Sequence, residues 1–441
     1  MTLLQRLCVL GLLLGCTAAR GADLITVYRE AARTNPQLAA AAASLQAVRE
    51  SRPQAMAGLL PSIDATGVIE RQRLKDLNQS APADTVTNKL ASLDLIQPLF
   101  RYDRWIQLEQ SDSEIARAEA EYAAAEQELM VQVAERYFSV LDAQDNLEFA
   151  EAEKSAIGRQ LDQATQRFEV GLIAITDVKA AQARYDLSVS QEIRALSLLV
   201  EAKDALREIA GEFYDELALL KPDLELVRPN PDSADAWIEQ ARQQNLSVLA
   251  AQAGAETARQ QIRLQRAGHY PTLDLNATTG YVERNFGGVV PQERNDSSIG
   301  LQLNIPLYEG GSVNSRTREA QSRFQEAQQL LQQQERAAEL ETRNAFRGIR
   351  TDIAQVKALG ESLRSTEIAV EAEEAGFEVG TRTIVDVLNS QREYYLARLN
   401  YARARYLYVV DQLRLKKAAG ILSEDDLQEV NQALIQTPPG R

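Results

Sequence analysis

Histidine is almost missing from this chain of 441 residues: His269 stands alone. A Ser-His-Asp triad or a histidine-based metal site therefore has a single candidate position, and its setting before Tyr270-Pro271 suits a structural role. No metal, no other cofactor and no catalysis are expected, since the chain also lacks a catalytic cluster and a Gly-rich phosphate loop. Basic side chains are outnumbered, 48 Lys+Arg against 63 Asp+Glu, for a formal net charge of −15. That balance excludes nucleic acid as the main partner, because neutralising phosphates needs clustered cations. Long apolar runs are missing too. Beyond the N-terminus none approaches the roughly 20 residues of a membrane-spanning helix, so any entry into a membrane must be made by strands.

Cysteine occurs twice, at Cys8 and Cys16, and both fall in a leader. Arg6 precedes an apolar stretch from Leu7 to Leu14, followed by small residues and Ala-Arg-Gly-Ala at 19–22. This reads as a secretory signal peptide over residues 1–22, cleaved between Ala19 and Asp23, which leaves a mature chain without thiols. Leu13-Leu14-Gly15-Cys16 also resembles a lipoprotein signal, in which Cys16 would be acylated.

Proline is scarce where it matters. None of the 13 lies between Pro98 and Pro222, or between Pro306 and Pro438. Spans of that length without a helix breaker point to very long helices. What is present in their place is a duplication. Phe-Glu-Val-Gly occurs at 168–171 and again at 377–380, and aligning 168–187 with 377–396 gives ten identities in 20 positions. Asn35 and Asn245, Pro61 and Pro271, Pro98 and Pro306, and Gly211 and Gly420 keep nearly the same spacing. A period this long belongs to one large unit copied once, not to a solenoid.

The first repeat is expected over 23–220 and the second over 234–420, with a linker at 221–233 and a tail at 421–441. Each opens with short helices, one running from Pro36 to about Leu59 in the first copy. Periodicity then changes to two: strands are expected at about 62–72 and 88–98, and at about 272–283 and 298–307. Leu273, Leu275 and Ala277 alternate with Thr272, Asp274 and Asn276. Ile299, Leu301, Leu303 and Ile305 alternate with Gly300, Gln302 and Asn304. Such strands of about ten residues fit a transmembrane β-strand, apolar toward lipid and polar toward a lumen. An ordinary half-buried hairpin alternates in the same way. Aromatics near the strand ends (Phe100, Tyr102, Trp105, Tyr270, Tyr308) fit an interfacial belt.

Long helices are expected over about 102–170 and 312–379, and at 1.5 Å per residue roughly 65 residues span about 100 Å. Rich in Ala, Gln and Glu, they must pack laterally along their length. Gly171 and Gly380 suit the left-handed residue that ends each one, and returning helices are expected at about 176–210 and 383–419. Four strands cannot close a barrel, and an open sheet edge cannot sit in lipid. Membrane strands would therefore oblige the chain to oligomerise.

These residues resemble the TolC family of outer-membrane exit ducts. The likeness is carried by the export signal, the duplicated unit and Gly-Thr-Arg-Thr-Ile-Val-Asp-Val at 380–387. Asn35-Pro36, Leu59-Leu60-Pro61, Ala-Ile-Thr-Asp-Val at 174–178 and the run from Ala418 to Leu427 add to it. The resemblance implies a mainly α fold with transmembrane β: a long coiled-coil-like α-barrel in the periplasm, and four strands per chain of a shared β-barrel. It implies a homotrimer in the outer-membrane lipid of a Gram-negative bacterium, joined through a periplasmic adaptor to an inner-membrane pump. Secreted proteins or small toxic compounds would pass through it, with no chemistry performed.

The resemblance also names an entrance. Links that close the periplasmic mouth fall on Thr176, Asp177, Phe377 and Arg382, and the acidic rings of its constriction fall on Asp386 and Asn389. Asp177 and Arg382 could form an ion pair. Phe377 stands where a tyrosine is expected and Asn389 where an aspartate is expected. One carboxylate ring in place of two implies weaker selection for cations. The turns at Gly171-Leu172 and Gly380-Thr381 would meet the adaptor. Two plainer readings compete: Thr383-Ile384-Val385-Asp386 has capping-box spacing, and Asp177 likewise sits at a helix start. A periplasmic coiled-coil adaptor or scaffold is the alternative for the whole chain; it would explain the rods but not the strands.

Overall fold

The computed structural model describes residues 22–74, 84–286, 290 and 292–435. The expected signal peptide, with both cysteines, lies outside the described residues. The first repeat runs α1 (Leu24–Thr34), α2 (Pro36–Arg49), α3 (Ser51–Ala57), β1 (Ser62–Leu74), β2 (Asp84–Phe100), α4 (Tyr102–Glu169), α5 (Ile175–Ala210) and β3 (Leu219–Leu220). The second runs α6 (Ala234–Gln244), α7 (Leu246–Arg266), a 3-10 turn (Ala267–His269), β4 (Thr272–Phe286), β5 (Gln292–Asn304), α8 (Ser312–Glu378) and α9 (Ile384–Ala418). A short α10 (Glu424–Gln432) and β6 (Leu434–Ile435) follow. The chain is thus mainly helical with two repeated strand pairs, as its periodicity implies.

The repeats are not the compact bodies. Contacts divide the chain into two units, and each takes segments from both repeats. Ala41–Tyr122 and Leu246–Arg336 form one unit; Ala123–Asn245 joins Ala337 onward and the segment up to Ala40 in the other. The long helices α4 and α8 each contribute residues to both units.

The strand-bearing unit holds a four-stranded antiparallel sheet in the order β1-β2-β4-β5. Register sets Ile63 opposite Leu95, Leu95 opposite Ala277, and Ala277 opposite Ile299. Directly opposed residues share a face, so the odd-numbered positions of these strands point the same way through the central sheet. That face carries Ile63, Ile69, Leu93, Leu95, Leu275, Leu301 and Leu303. Ile63 is 69% exposed, Ile299 76% and Leu301 67%, so none of the described residues covers it. From Leu273 to Tyr281 it extends about 27 Å at ~3.4 Å per residue, the height of an apolar membrane band. Its hydroxyls satisfy each other, with Thr279 Oγ1 2.8 Å from Ser297 Oγ. The even face is mostly polar: Thr278 Oγ1 donates to Asp94 Oδ1 at 2.8 Å, and Asn276 Nδ2 to Gln302 Oε1 at 2.8 Å. Exposed apolar residues on one face and paired polar residues on the other distinguish this sheet from a half-buried hairpin. Within the same unit Arg49–Glu119, Arg52–Asp112 and Arg263–Glu109, at 2.7–2.8 Å, fasten the short helices to α4.

The helical unit has a core of Tyr137, Leu141, Ile349, Tyr408, Leu413 and Leu427, all fully buried. Tyr137 donates to the Ala218 carbonyl at 2.7 Å, which explains how its hydroxyl tolerates burial. The duplication persists in hydrogen bonds. Asn35 Nδ2 donates to the Ile209 carbonyl at 3.3 Å, and Asn245 Nδ2 to the Ala418 carbonyl at 2.9 Å. In each repeat, then, the same amide closes the end of the returning helix.

Several boundaries differ from the sequence reading; β1, β4 and β5 each extend further toward the hairpin ends, to Leu74, to Phe286 and from Gln292. The expected helix from Pro36 to Leu59 breaks at Glu50 into α2 and α3, because Pro53 has no N–H to continue the ladder through that turn. β2 begins at Asp84, where expectation began at 88, because its polar outer end pairs with β1 up to Leu74. β5 ends at Asn304 and leaves Ile305 out, since Pro306 cannot donate and biases the residue before it. The tail is ordered through β6: Asp426 caps α10 from Ser423, and Leu427 is fully buried. His269 Nε2 lies 3.2 Å from Asn314 Oδ1, a structural contact.

Candidate functional site

Both long helices end in the same hydrogen-bonded turn. Gly171 (φ 77°) and Gly380 (φ 81°) take the left-handed conformation that glycine adopts without strain. The N–H of Leu172 reaches the Arg167 carbonyl at 2.8 Å and that of Gly171 the Phe168 carbonyl at 2.9 Å. Thr381 N–H to Gly376 (2.9 Å) and Gly380 N–H to Phe377 (3.1 Å) repeat the pattern. These are Schellman closures, so the Phe-Glu-Val-Gly motif encodes a helix stop. The tips are apolar and bare: Leu172 is 73% exposed, and Val170 and Val379 are similarly open.

A cluster of Ile157, Ala164, Ala181, Phe377, Ile384, Val387 and Leu388 holds the two turns' helices together. Phe377 is buried within it, with the Arg167 guanidinium 4.4 Å from its ring centroid. The ring's role here is packing, strengthened by a cation–π contact. Its repeat counterpart Phe168 is 40% exposed, so identical motifs occupy different surroundings.

The two copies differ at one decisive position. Thr383 caps α9: its Oγ1 accepts from Asp386 N–H at 3.3 Å, while Asp386 Oδ2 accepts from Thr383 N–H at 2.9 Å and from Thr383 Oγ1 at 2.7 Å. These hydrogen bonds from the Thr383 backbone and hydroxyl, aided by the Arg382 charge, hold Asp386 below the usual carboxylate range. Asp386 is therefore ionised, and its capping reading is realised. In the first repeat the same place is Ala174, which offers no side-chain cap to α5. Asp177, the counterpart of Asp386, is left half-buried with no ion-pair partner among the described residues.

Asp177 and Arg382 do not pair within one chain. Arg382 instead lies 3.3 Å from Glu373 Oε2, a close ionic contact without hydrogen-bond geometry, and its side chain is 55% exposed. It rests over Gly376, where a Cβ would come within 2.6 Å of Arg382 Cγ. Thr176 is exposed and makes no link to Phe377. Asn389 accepts a hydrogen bond from Arg184 Nη2 at 3.0 Å. Arg184, Glu373, Gly376 and Arg167 are the neighbours that sequence reading missed. Arg184 is 205 residues from its partner, and no local pattern announces the contact. Among the described residues no cluster of His, Cys, Asp or Glu could hold a metal. No helix of the described residues is long and apolar enough to cross a membrane.

A family model, "Outer membrane efflux protein", matches the chain over residues 27–212 and 237–421. The chain belongs to this family. The two matched stretches follow the duplication. The chain is 39% identical to the outer membrane protein TolC of Vibrio cholerae over 416 residues, 93% of this chain and 94% of that protein. It is 29% identical to the alkaline protease secretion protein AprF of Pseudomonas aeruginosa, over 92% and 86% of the two chains. The solved outer membrane protein VceC of Vibrio cholerae superposes with a TM-score of 0.76 at 20% identity, covering 90% and 96%. Membership makes this chain an outer-membrane export channel of the kind used in tripartite systems, its helical part periplasmic. The adaptor alternative is set aside. The relatives are channel proteins, not enzymes.

Proposed function

We propose that three copies of this chain close a 12-stranded barrel in the outer membrane and form one duct, fed through a periplasmic adaptor by an inner-membrane pump. The observation that carries this reading is the sheet itself. One face is apolar and uncovered, and its outer strands β1 and β5 have free edges among the described residues. In lipid an unpaired edge leaves N–H and C=O groups without partners, at several kcal/mol each, so copies must pair edge to edge. The outer-membrane lipid is the apolar face's solvent. Cargo comprises secreted proteins, small toxic compounds or both; a protease secretion protein among the relatives and the efflux family that matches support this range.

The mouth closes where Asp177 of one copy meets Arg382 of the next. Asp177 stands at the start of a helix without a side-chain cap, and the Arg382 side chain is 55% exposed despite its contact with Glu373, so both can reach a second chain. Thr176 and Phe377 shape the same link, Phe377 by fixing the helix that carries it. Asp386 and Asn389 line the constriction. The bare turns at Gly171-Leu172 and Gly380-Thr381 are the adaptor's docking points.

Single-channel conductance in a planar bilayer tests both parts. The parent should show small, discrete steps and an Asp177→Ala, Arg382→Ser double variant clearly larger ones. Equal steps would remove the gate assignment, and no steps from well-folded, inserted protein would remove the channel.

A further inference from the structure

We infer that Arg184 sets the ion selectivity of the mouth by placing a ring of positive charge just inside the Asp386 ring. The inference rests on the proposed constriction at Asp386 and Asn389 and deepens it. Asn389 is three residues beyond Asp386 on α9, so the two share a helix face one turn apart. Asn389 is neutral, yet the position is not uncharged, because the Arg184 guanidinium is bound to its side-chain oxygen at 3.0 Å. Where a second carboxylate ring is implied by resemblance, this chain presents an amide with a cation behind it.

The surrounding charges do not cancel that cation. Arg392, on the same helix as Asn389, is exposed. The carboxyl facing Arg184 and Arg392 is Glu153 on α4, half-buried and pushed toward its neutral form by burial, against the pull of both guanidiniums. Two cations thus face one half-buried carboxyl on α4. The nearby Gln391 is turned elsewhere, donating to Glu374 at 2.7 Å, and Gln182 donates to Asp186 at 2.9 Å. An entering ion therefore meets three carboxylates and then, one helical turn deeper, three guanidiniums. Opposed rings at that spacing lie within about one Debye length, so each screens the other for a small ion. The duct should discriminate poorly between potassium and chloride, and it should retain anionic cargo better than a purely acidic mouth would.

The test is the reversal potential across a bilayer holding a potassium chloride gradient. The parent should give a cation-to-anion permeability ratio near one. Arg184→Gln should raise it at least about twofold and Arg184→Glu further, while Arg184→Lys, which keeps the charge but loses the planar fork, should hold the parent value. Asn389→Asp is the independent arm. By adding the missing carboxylate against Arg184 it should raise the ratio without touching the arginine. Channels of parent-like conductance whose ratio stays fixed through Arg184→Gln and Arg184→Glu would overturn the inference while leaving the duct intact. A parent that conducts no ions would instead overturn the constriction reading beneath it.

Discussion

Replacing Ala174 by Thr would copy into the first repeat the cap that Thr383 provides in the second. In the second repeat the threonine hydroxyl and the Asp386 carboxylate exchange hydrogen bonds around the start of α9. With threonine at 174, Asp177 would turn back toward its own helix in the same way. A side-chain cap gains typically ~1 kcal/mol over alanine. The competing link proposed to Arg382 of the next copy would be a surface ion pair, worth ~0.2–1 kcal/mol. The cap therefore matches or exceeds the link, and the linked population falls by up to about fivefold at each of the interfaces. The expected result is a substitution that stabilises the protein yet loosens its mouth: an unchanged or higher melting temperature, with larger single-channel steps. Ala174→Val is the control. It adds bulk without a hydroxyl and should conduct like the parent. If Ala174→Thr raises thermal stability and conducts no better than the parent, Asp177 is not holding the mouth closed.

Phe377→Ala should cost about 3–5 kcal/mol locally, by emptying a buried aromatic site and stranding Arg167, and faster amide hydrogen exchange at both turns would report it. Asp352, buried on α8 beside Asp411, is raised to about 7 by burial first and by the neighbouring carboxylate second. The folded chain then holds a proton that the unfolded chain releases from near 3.8, so this group's contribution is present at acid pH and is lost as pH rises through about 7. Asp352→Asn should raise the melting temperature at alkaline pH and flatten its pH dependence; a steeper profile in the variant would contradict this. Gly376→Ala should displace Arg382, whose Cγ lies where the new Cβ would point, and enlarge the conductance steps in the same direction as Arg382→Ser.

The fold was legible in the sequence where a single local rule acts over a long distance. Two long proline-free spans become α4 and α8, and alternation at Leu273–Ala277 and Ile299–Leu303 becomes one face of the sheet. The turns were legible because glycine alone makes left-handed closure easy. Legibility failed where the deciding contact is distant or its rule is outvoted. Pro53 splits a helix that composition favours, and Asp84, Thr85 and Thr87 are polar yet their strand still pairs with β1 there, around the buried Val86. Phe168 and Phe377 share a motif, but only the second enters the core, because α4 and α8 offer different neighbours at their ends. For the site, Asp386's cap could be read from spacing. Arg184's bond to Asn389 could not, and neither could the turn of Arg382 toward Glu373.

The asymmetry between Ala174 and Thr383 has an evolutionary reading. A ring assembled from six single repeats would have six identical turns, and any residue placed at one would appear at all. Fusing two repeats into one chain frees alternate turns to diverge. One set can then keep its helix starts permanently closed by threonine, while the other leaves its acids unengaged. On the proposed closure, a passage that stays shut at rest yet yields to a partner uses both kinds of corner, and duplication lets a single hydroxyl tell them apart.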